Sequence, residues 1–270
     1  MDAIQRISRN VLPKGESAYA WVPGRVIGGV ALIVGPLVWF AGLLVRHIGV
    51  QVADFTPDQQ ALFDKQMLTA PEQLTAYAQH PQLVMAGYTL FALGSVLLFP
   101  AVIAFARIVA ARSPRLAMWG GTLFVSSLFA RWYYAGIEQT AFQMVDRLGR
   151  EKATNFVMDS YTDLSYGLWR IPVTASMGSI VGMVLLVVGA YLAGKIGLGR
   201  GVLLLLFGWV FMGVLKESSL ILGVLAGGLS VCLVFIPLGV AALRDRIPEV
   251  RSTPTPLPDS SQARLPLRIW

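Results

Sequence analysis

Charge is what this chain has least of. Only 14% of its 270 residues are Asp, Glu, Lys or Arg and 55% are hydrophobic, whereas a soluble domain carries about 25% charged and about 45–50% apolar residues. With a mean hydropathy of +0.63, it has too little polar surface to clothe a soluble fold of this length, so it reads as a membrane protein. Cysteine is nearly absent too. The single Cys232 excludes an intrachain disulfide and a multi-cysteine metal site. Histidine is limited to His47 and His80, and the zinc-binding pattern His-Glu-x-x-His is missing, which argues against metal catalysis. Also missing are a Walker-type phosphate loop, a Gly-x-Gly-x-x-Gly turn ahead of a soluble helix, Gly-x-Ser-x-Gly and an Asp-rich magnesium-diphosphate motif. No metal and no cofactor is expected.

Long apolar runs are what remains. They lie at 26–45, 83–106, 116–137, 174–193, 201–215 and 220–243, and a hydrocarbon core about 30 Å thick needs about 20 helical residues. The expected fold is all-α, a polytopic transmembrane helix bundle of about six spans. The fifth run is short and needs Leu198 and Gly199, with Arg200 reaching back to the headgroups. Glycines 182, 189, 194 and 197 read as helix-packing positions. The first run is full span length and is read as a retained helix rather than a cleaved signal.

Basic residues divide unevenly over this pattern. Fourteen lie on the tails and the second and fourth connections, six on the other side, with Arg131 and Arg170 near or within spans. The positive-inside rule then places both termini in the cytoplasm. Residues 1–24 are expected to form a cytoplasmic amino tail and 25–246 the membrane domain, with an outer helical loop at about 47–82. Residues 247–270, rich in Ser, Thr and Pro, read as a disordered cytoplasmic tail. Spread this way, the net charge of +7 marks topology and forms no basic patch for nucleic acid. Seventeen Arg against five Lys suggest a high-GC genome and the plasma membrane of a bacterium.

Within the outer loop, Thr56-Pro57-Asp58-Gln59 and Thr69-Ala70-Pro71-Glu72 are helix starts of the capping-box type. Two short interfacial helices are expected, about 57–68 and 70–79.

The third run points to chemistry. After Arg115 only fifteen uncharged residues precede Arg131, about 22 Å of helix, so Arg131 is carried into the outer leaflet. Arg131, Tyr134, Glu138 and Phe142 recur on one helical face, and a cation at that depth requires a partner. Asp159, Asp163, Tyr166 and Arg170 are spaced as one face of a helix entering the fourth run, with Trp169 beside them. Glu138, Asp163 and Asp159 are therefore the candidate catalytic acids. Arg131, Arg170, Trp132, Tyr134, Tyr166 and Trp169 are the candidate substrate-binding residues.

Three readings follow. An apolar boundary favours the neutral form of a carboxylic acid, and aromatic faces stabilise a developing cation. Acid plus aromatic wall suits a membrane enzyme that protonates a lipid-like, isoprenoid substrate, in the manner of a metal-independent terpene cyclase or isomerase. The same residues suit a proton-coupled small-molecule transporter, whose acid alternates between protonated and ion-paired states. They also suit an accessory subunit in which Arg131 and its acid are a helix clamp inside an aromatic belt. The expected partners are the lipid bilayer and a hydrophobic small molecule, with no nucleic acid.

Overall fold

The computed structural model describes residues 23–63, 65, 69–160, 167–210 and 219–244. Among these residues the chain is helical throughout, without strands. In order it forms α1 (Gly24–Gln51), α2 (Pro57–Phe63), α3 (Ala70–Gln79), α4 (Pro81–Ala110), α5 (Pro114–Leu148) and α6 (Arg150–Ser160). A 3-10 turn (Gly167–Trp169) leads into α7 (Arg170–Ser176) and α8 (Gly178–Leu192), followed by α9 (Leu198–Val210). A π-helical stretch (Leu220–Leu229) runs directly into α10 (Ser230–Leu243). Four helical segments are long and apolar enough to cross a membrane: Gly24–Gln51, Pro81–Ala110, Arg170–Leu192 and Leu220–Leu243.

Local chemistry sets most of the helix ends. Pro81 and Pro114 open α4 and α5, positions where the missing N–H would have had no helical acceptor. At the start of α2, the Gln59 amide donates to Thr56 Oγ1 at 3.3 Å and the Thr56 amide to Gln59 Oε1 at 3.0 Å, a reciprocal capping box. Residues 64 and 66–68, over which the sequence extends this helix, lie outside the described residues. Thr69 stands at the N-cap of α3, where its side chain makes no cap hydrogen bond. Gly194 departs from its expected packing role. It ends α8 with φ +65°, its amide donating to Tyr191 O and that of Lys195 to Ala190 O, both at 2.9 Å. That pair of bonds is a Schellman stop, so Gly194 terminates a helix instead of packing against one.

The tightest seam joins α1 to α4, which run antiparallel with close approaches repeated along their length. Glycine recurs every seventh residue of α1 at 28, 35, 42 and 49. A Cβ on these residues would meet Ala104, Leu97, Phe91 and Val84 of α4 in turn, so each heptad step up α1 is one down α4. Reciprocally, Gly94 and Gly87 of α4 lie against the backbone of Trp39 and Arg46 of α1. The missing side chains let the backbones close up and leave room for Trp39, Phe91 and Arg46 between them. Elsewhere, Gly120 and Gly182 join α5 to α8, while Gly29 and Gly239 join α1 to α10.

Two apolar cores result. The larger, around Leu32, Trp39, Phe91, Phe105, Phe124, Phe207 and Phe235, lies among α1, α4, α5, α8, α9 and α10. A smaller one, around Leu74, Tyr77, Tyr88, Tyr134 and Phe142, gathers α3 and α6 over the ends of α4 and α5. Although α3 is only ten residues long, its residues 70, 71 and 73–77 are all buried; it fills the end of the bundle.

Candidate functional site

Where the two cores meet, the interior is charged. Arg46, Arg131 and Glu138 are each 2% exposed, and they are the buried ionic side chains among the described residues. Arg46 sits on α1, five residues before its last residue, whereas Arg131 and Glu138 lie two turns apart on α5. Arg131 Nη2 donates to Glu138 Oε2 in a buried ion pair. Seven residues are about two helical turns, so the long Arg side chain reaches along its own helix to the carboxylate.

Aromatic rings hold both guanidiniums. The guanidinium carbons of Arg46 and Arg131 stand 4.7 Å and 4.5 Å from the centre of the same ring, Phe91. Arg46 also lies 4.3 Å over Tyr88, an attraction strengthened where water is excluded. Its Nη2 donates to Tyr88 Oη at 3.2 Å, and Tyr88 Oη donates to Gln73 Oε1 at 3.0 Å. Gln73 belongs to α3, so the buried helix closes the cluster with a hydrogen bond. Trp39 continues the cluster inward. Its ring lies 4.1 Å from that of Phe91, and its Nε1 donates to Gly227 O at 2.8 Å in the π-helical stretch. A wider π turn displaces carbonyls from ordinary helical pairing, and here an indole N–H meets one of them.

Toward α3 the smaller core adds two polar links. Phe142 stacks on Tyr77 at 4.6 Å and meets Tyr88 edge-on at 4.8 Å. Tyr77 donates to Asp146 Oδ2 at 2.8 Å. Burial, with the Asp146 hydrogen bond and negative charge behind it, raises the Tyr77 hydroxyl above the usual tyrosine range. Tyr134 donates to Ser176 Oγ at 3.3 Å, tying α5 to α7.

The residues expected from sequence divide into three groups. Arg131, Tyr134 and Glu138 face inward together, with Phe142 on the same face. Asp159 and Arg170 are exposed, and Trp132 is 50% exposed, pointing away from that face. The helical face expected from Asp159 to Arg170 is interrupted at Gly167, which opens the 3-10 turn with φ +55°. A left-handed residue there cannot continue a right-handed helix. Asp163 and Tyr166 lie outside the described residues, and Trp169 is described only as the end of that turn.

Arg46, Tyr88, Phe91 and Gln73 are the members that sequence reasoning missed. By sequence alone Arg46 is one of the six basic residues on the less basic side, closing an apolar run. The heptad glycines carry the missing signal. Arg46 is four residues after Gly42 and three before Gly49, which places it on the face turned toward α4. Among the described residues no group of three or more His, Cys, Asp or Glu could hold a metal ion. No protein-family model, curated protein or solved structure matches the chain.

Proposed function

We propose that the chain is a multi-pass membrane transporter in which Glu138 couples movement of a small solute to movement of a proton. In this reading α5 and α9 cross the membrane beside the four apolar segments, giving six spans. Both termini lie in the cytoplasm, α2 and α3 lie at the outer face, and the membrane is the plasma membrane of a bacterium. The charge bias of 14 basic residues to six supports that orientation.

The carrying observation is a carboxylate buried in an ion pair inside the helix bundle. Arg131 and Glu138 are the eighteenth and twenty-fifth of the 35 residues of α5, and both are buried by the surrounding helices. Ionic groups buried this way are expensive and mark ion or substrate pathways. A carboxylate that leaves its arginine there must take up a proton, because an unpaired charge has no water to stabilise it. Two states of one acid, paired or protonated, are what proton coupling requires.

Protonation of an isoprenoid by Glu138 is less well supported. Glu138 is engaged by Arg131, and the ring faces of Phe91 and Tyr88 already carry guanidiniums. A carbocation formed among two resident cations would be repelled rather than stabilised. Asp159 is exposed and supplies no second buried acid.

Proteoliposomes holding the full chain and a trapped pH-sensitive dye test the proposal. Across a broad solute panel, at least one solute should drive proton influx, and Glu138→Gln should abolish it while the protein still inserts. A panel that moves no protons, or a Glu138→Gln protein that moves them equally well, would overturn it. An accessory clamp would give the first of those results.

A further inference from the structure

Resting on that reading, we infer that Trp39 is a positioning residue for the Arg131–Glu138 pair, and that through Phe91 it links the pair to the π-helical stretch, the element that changes shape in the cycle. Phe91 is where site and packing meet. Its ring centre lies 4.5 Å and 4.7 Å from the guanidinium carbons of Arg131 and Arg46, and 4.1 Å from the ring of Trp39. The backbones beneath these rings have no slack, since a Cβ on Gly42 would collide with the backbone of Phe91 and one on Gly94 with that of Trp39. A guanidinium that shifts over Phe91 therefore moves side chains rather than helices. In an interior packed as densely as a crystal, the Trp39 ring must respond.

The far edge of the indole is tied to the last span. Indole carries one N–H donor, and that of Trp39 goes to Gly227 O at 2.8 Å, 188 residues along the chain. Gly227 belongs to a stretch that holds two hydrogen-bond registers at once. Ser219 O accepts from Gly223 N at 3.0 Å and from Val224 N at 3.1 Å, a four-residue and a five-residue bond on one carbonyl. At the other end Ser230 N donates to Leu225 O, five residues back, where α10 begins. The same residues can thus close as α or as π turns, a discrete two-state element of the kind that carries coupling between sites. Rewinding from five-residue to four-residue bonds rotates the carbonyls about the helix axis, so Gly227 O either leaves the indole or takes the ring with it. A Cβ on Gly228 would meet Phe40 and Leu43, so the stretch lies directly against the helix that carries Trp39. When Glu138 accepts its proton and releases Arg131, the guanidinium moves over Phe91, Phe91 displaces Trp39, and the freed Gly227 carbonyl favours the α register.

The test is hydrogen–deuterium exchange of the full chain in nanodiscs. It is read at the Trp39 indole N–H by NMR, with the resonance assigned by its loss in Trp39→Phe, and at the amides of 220–229 by mass spectrometry. Glu138→Gln, which cannot form the ion pair, should speed exchange at both places at least about fivefold, the factor for losing one hydrogen bond. The control is α8, which packs on α5 through Gly120 and Gly182. General loosening around α5 would speed exchange at 178–192, whereas the Trp39 link leaves that segment unchanged. Phe91→Leu removes the shared ring, and on that background Glu138→Gln should no longer alter Trp39 or 220–229. If Glu138→Gln does not fold, Arg131→Lys, which loses the planar fork over Phe91, should give the same local response. Unchanged exchange at Trp39 and 220–229, equal acceleration in α8, or a response that survives Phe91→Leu would overturn the inference. Proton movement in proteoliposomes without a response at Trp39 would overturn this link and leave the transporter reading standing. A local response in a chain that moves no protons would do the reverse.

Discussion

Arg131 and Glu138 define opposite consequences of single and paired substitution. Removing one partner of a buried ion pair leaves an uncompensated charge and costs about 3–5 kcal/mol, whereas replacing both by apolar residues is often close to neutral. Arg131→Leu should therefore lower thermal stability in detergent strongly, and Arg131→Leu with Glu138→Leu should recover most of the loss while remaining inactive in transport. Recovery of both stability and transport by the double variant would reduce the pair to a clamp. At Tyr77 the part-buried hydrogen bond to Asp146 is worth about 1 kcal/mol, and Tyr77→Phe should lose about that much. Because the folded protein holds this hydroxyl above the ordinary tyrosine range, its contribution is complete below about pH 10 and falls as pH rises through the folded value. Alkaline melting curves of wild type and Tyr77→Phe should accordingly converge above that range; a constant separation would contradict the assignment.

Among the elements, α1 and α4 decide where the cluster can exist. Gly42 touches the backbone of Phe91, the ring shared by both arginines. Gly42→Leu should force the helices apart, costing about 1–3 kcal/mol and disturbing the site at a distance from its charges. Gly136 on α5 has nothing within 4 Å of a Cβ position, so Gly136→Ala should be neutral or stabilising by up to about 1 kcal/mol. Melting temperatures of the two variants in one detergent check the contrast, and equal effects would contradict the close-packed seam. The apolar runs and the proline start of α2 at Pro57 were legible in the sequence because hydropathy and N–H chemistry are local properties. Arg131 and Glu138 were legible as a pair for the same reason, being two turns apart on one helix. Arg46 and Gln73 were not, since their burial depends on how α1, α3 and α4 register with one another. Nor was the turn at Gly167, where a glycine inside a helical spacing pattern takes a left-handed conformation.

At the scale of the whole molecule, the scarcity of charge acquires a location. Among the described residues most ionic side chains lie at helix ends or in connections, and the three buried ones converge on Phe91 or on one another. The proposed orientation is checked by cysteine labelling in cells, using Cys232→Ala as background. Asp58, exposed on α2, and Arg112, exposed between α4 and α5, should fall on opposite sides. A membrane-impermeant maleimide should reach Asp58→Cys in intact cells and Arg112→Cys only after permeabilisation; the reverse pattern would invert the topology.

Whether Glu138 changes its protonation state during work is the question on which coupling depends. Infrared difference spectroscopy of the full chain in nanodiscs, with and without a solute that drives proton influx, follows the carbonyl stretch of a protonated carboxylic acid. The expected result is a protonated-acid band that appears on solute binding and disappears in Glu138→Gln. Solute binding with no such band, or with a band that survives the substitution, would contradict proton coupling through Glu138.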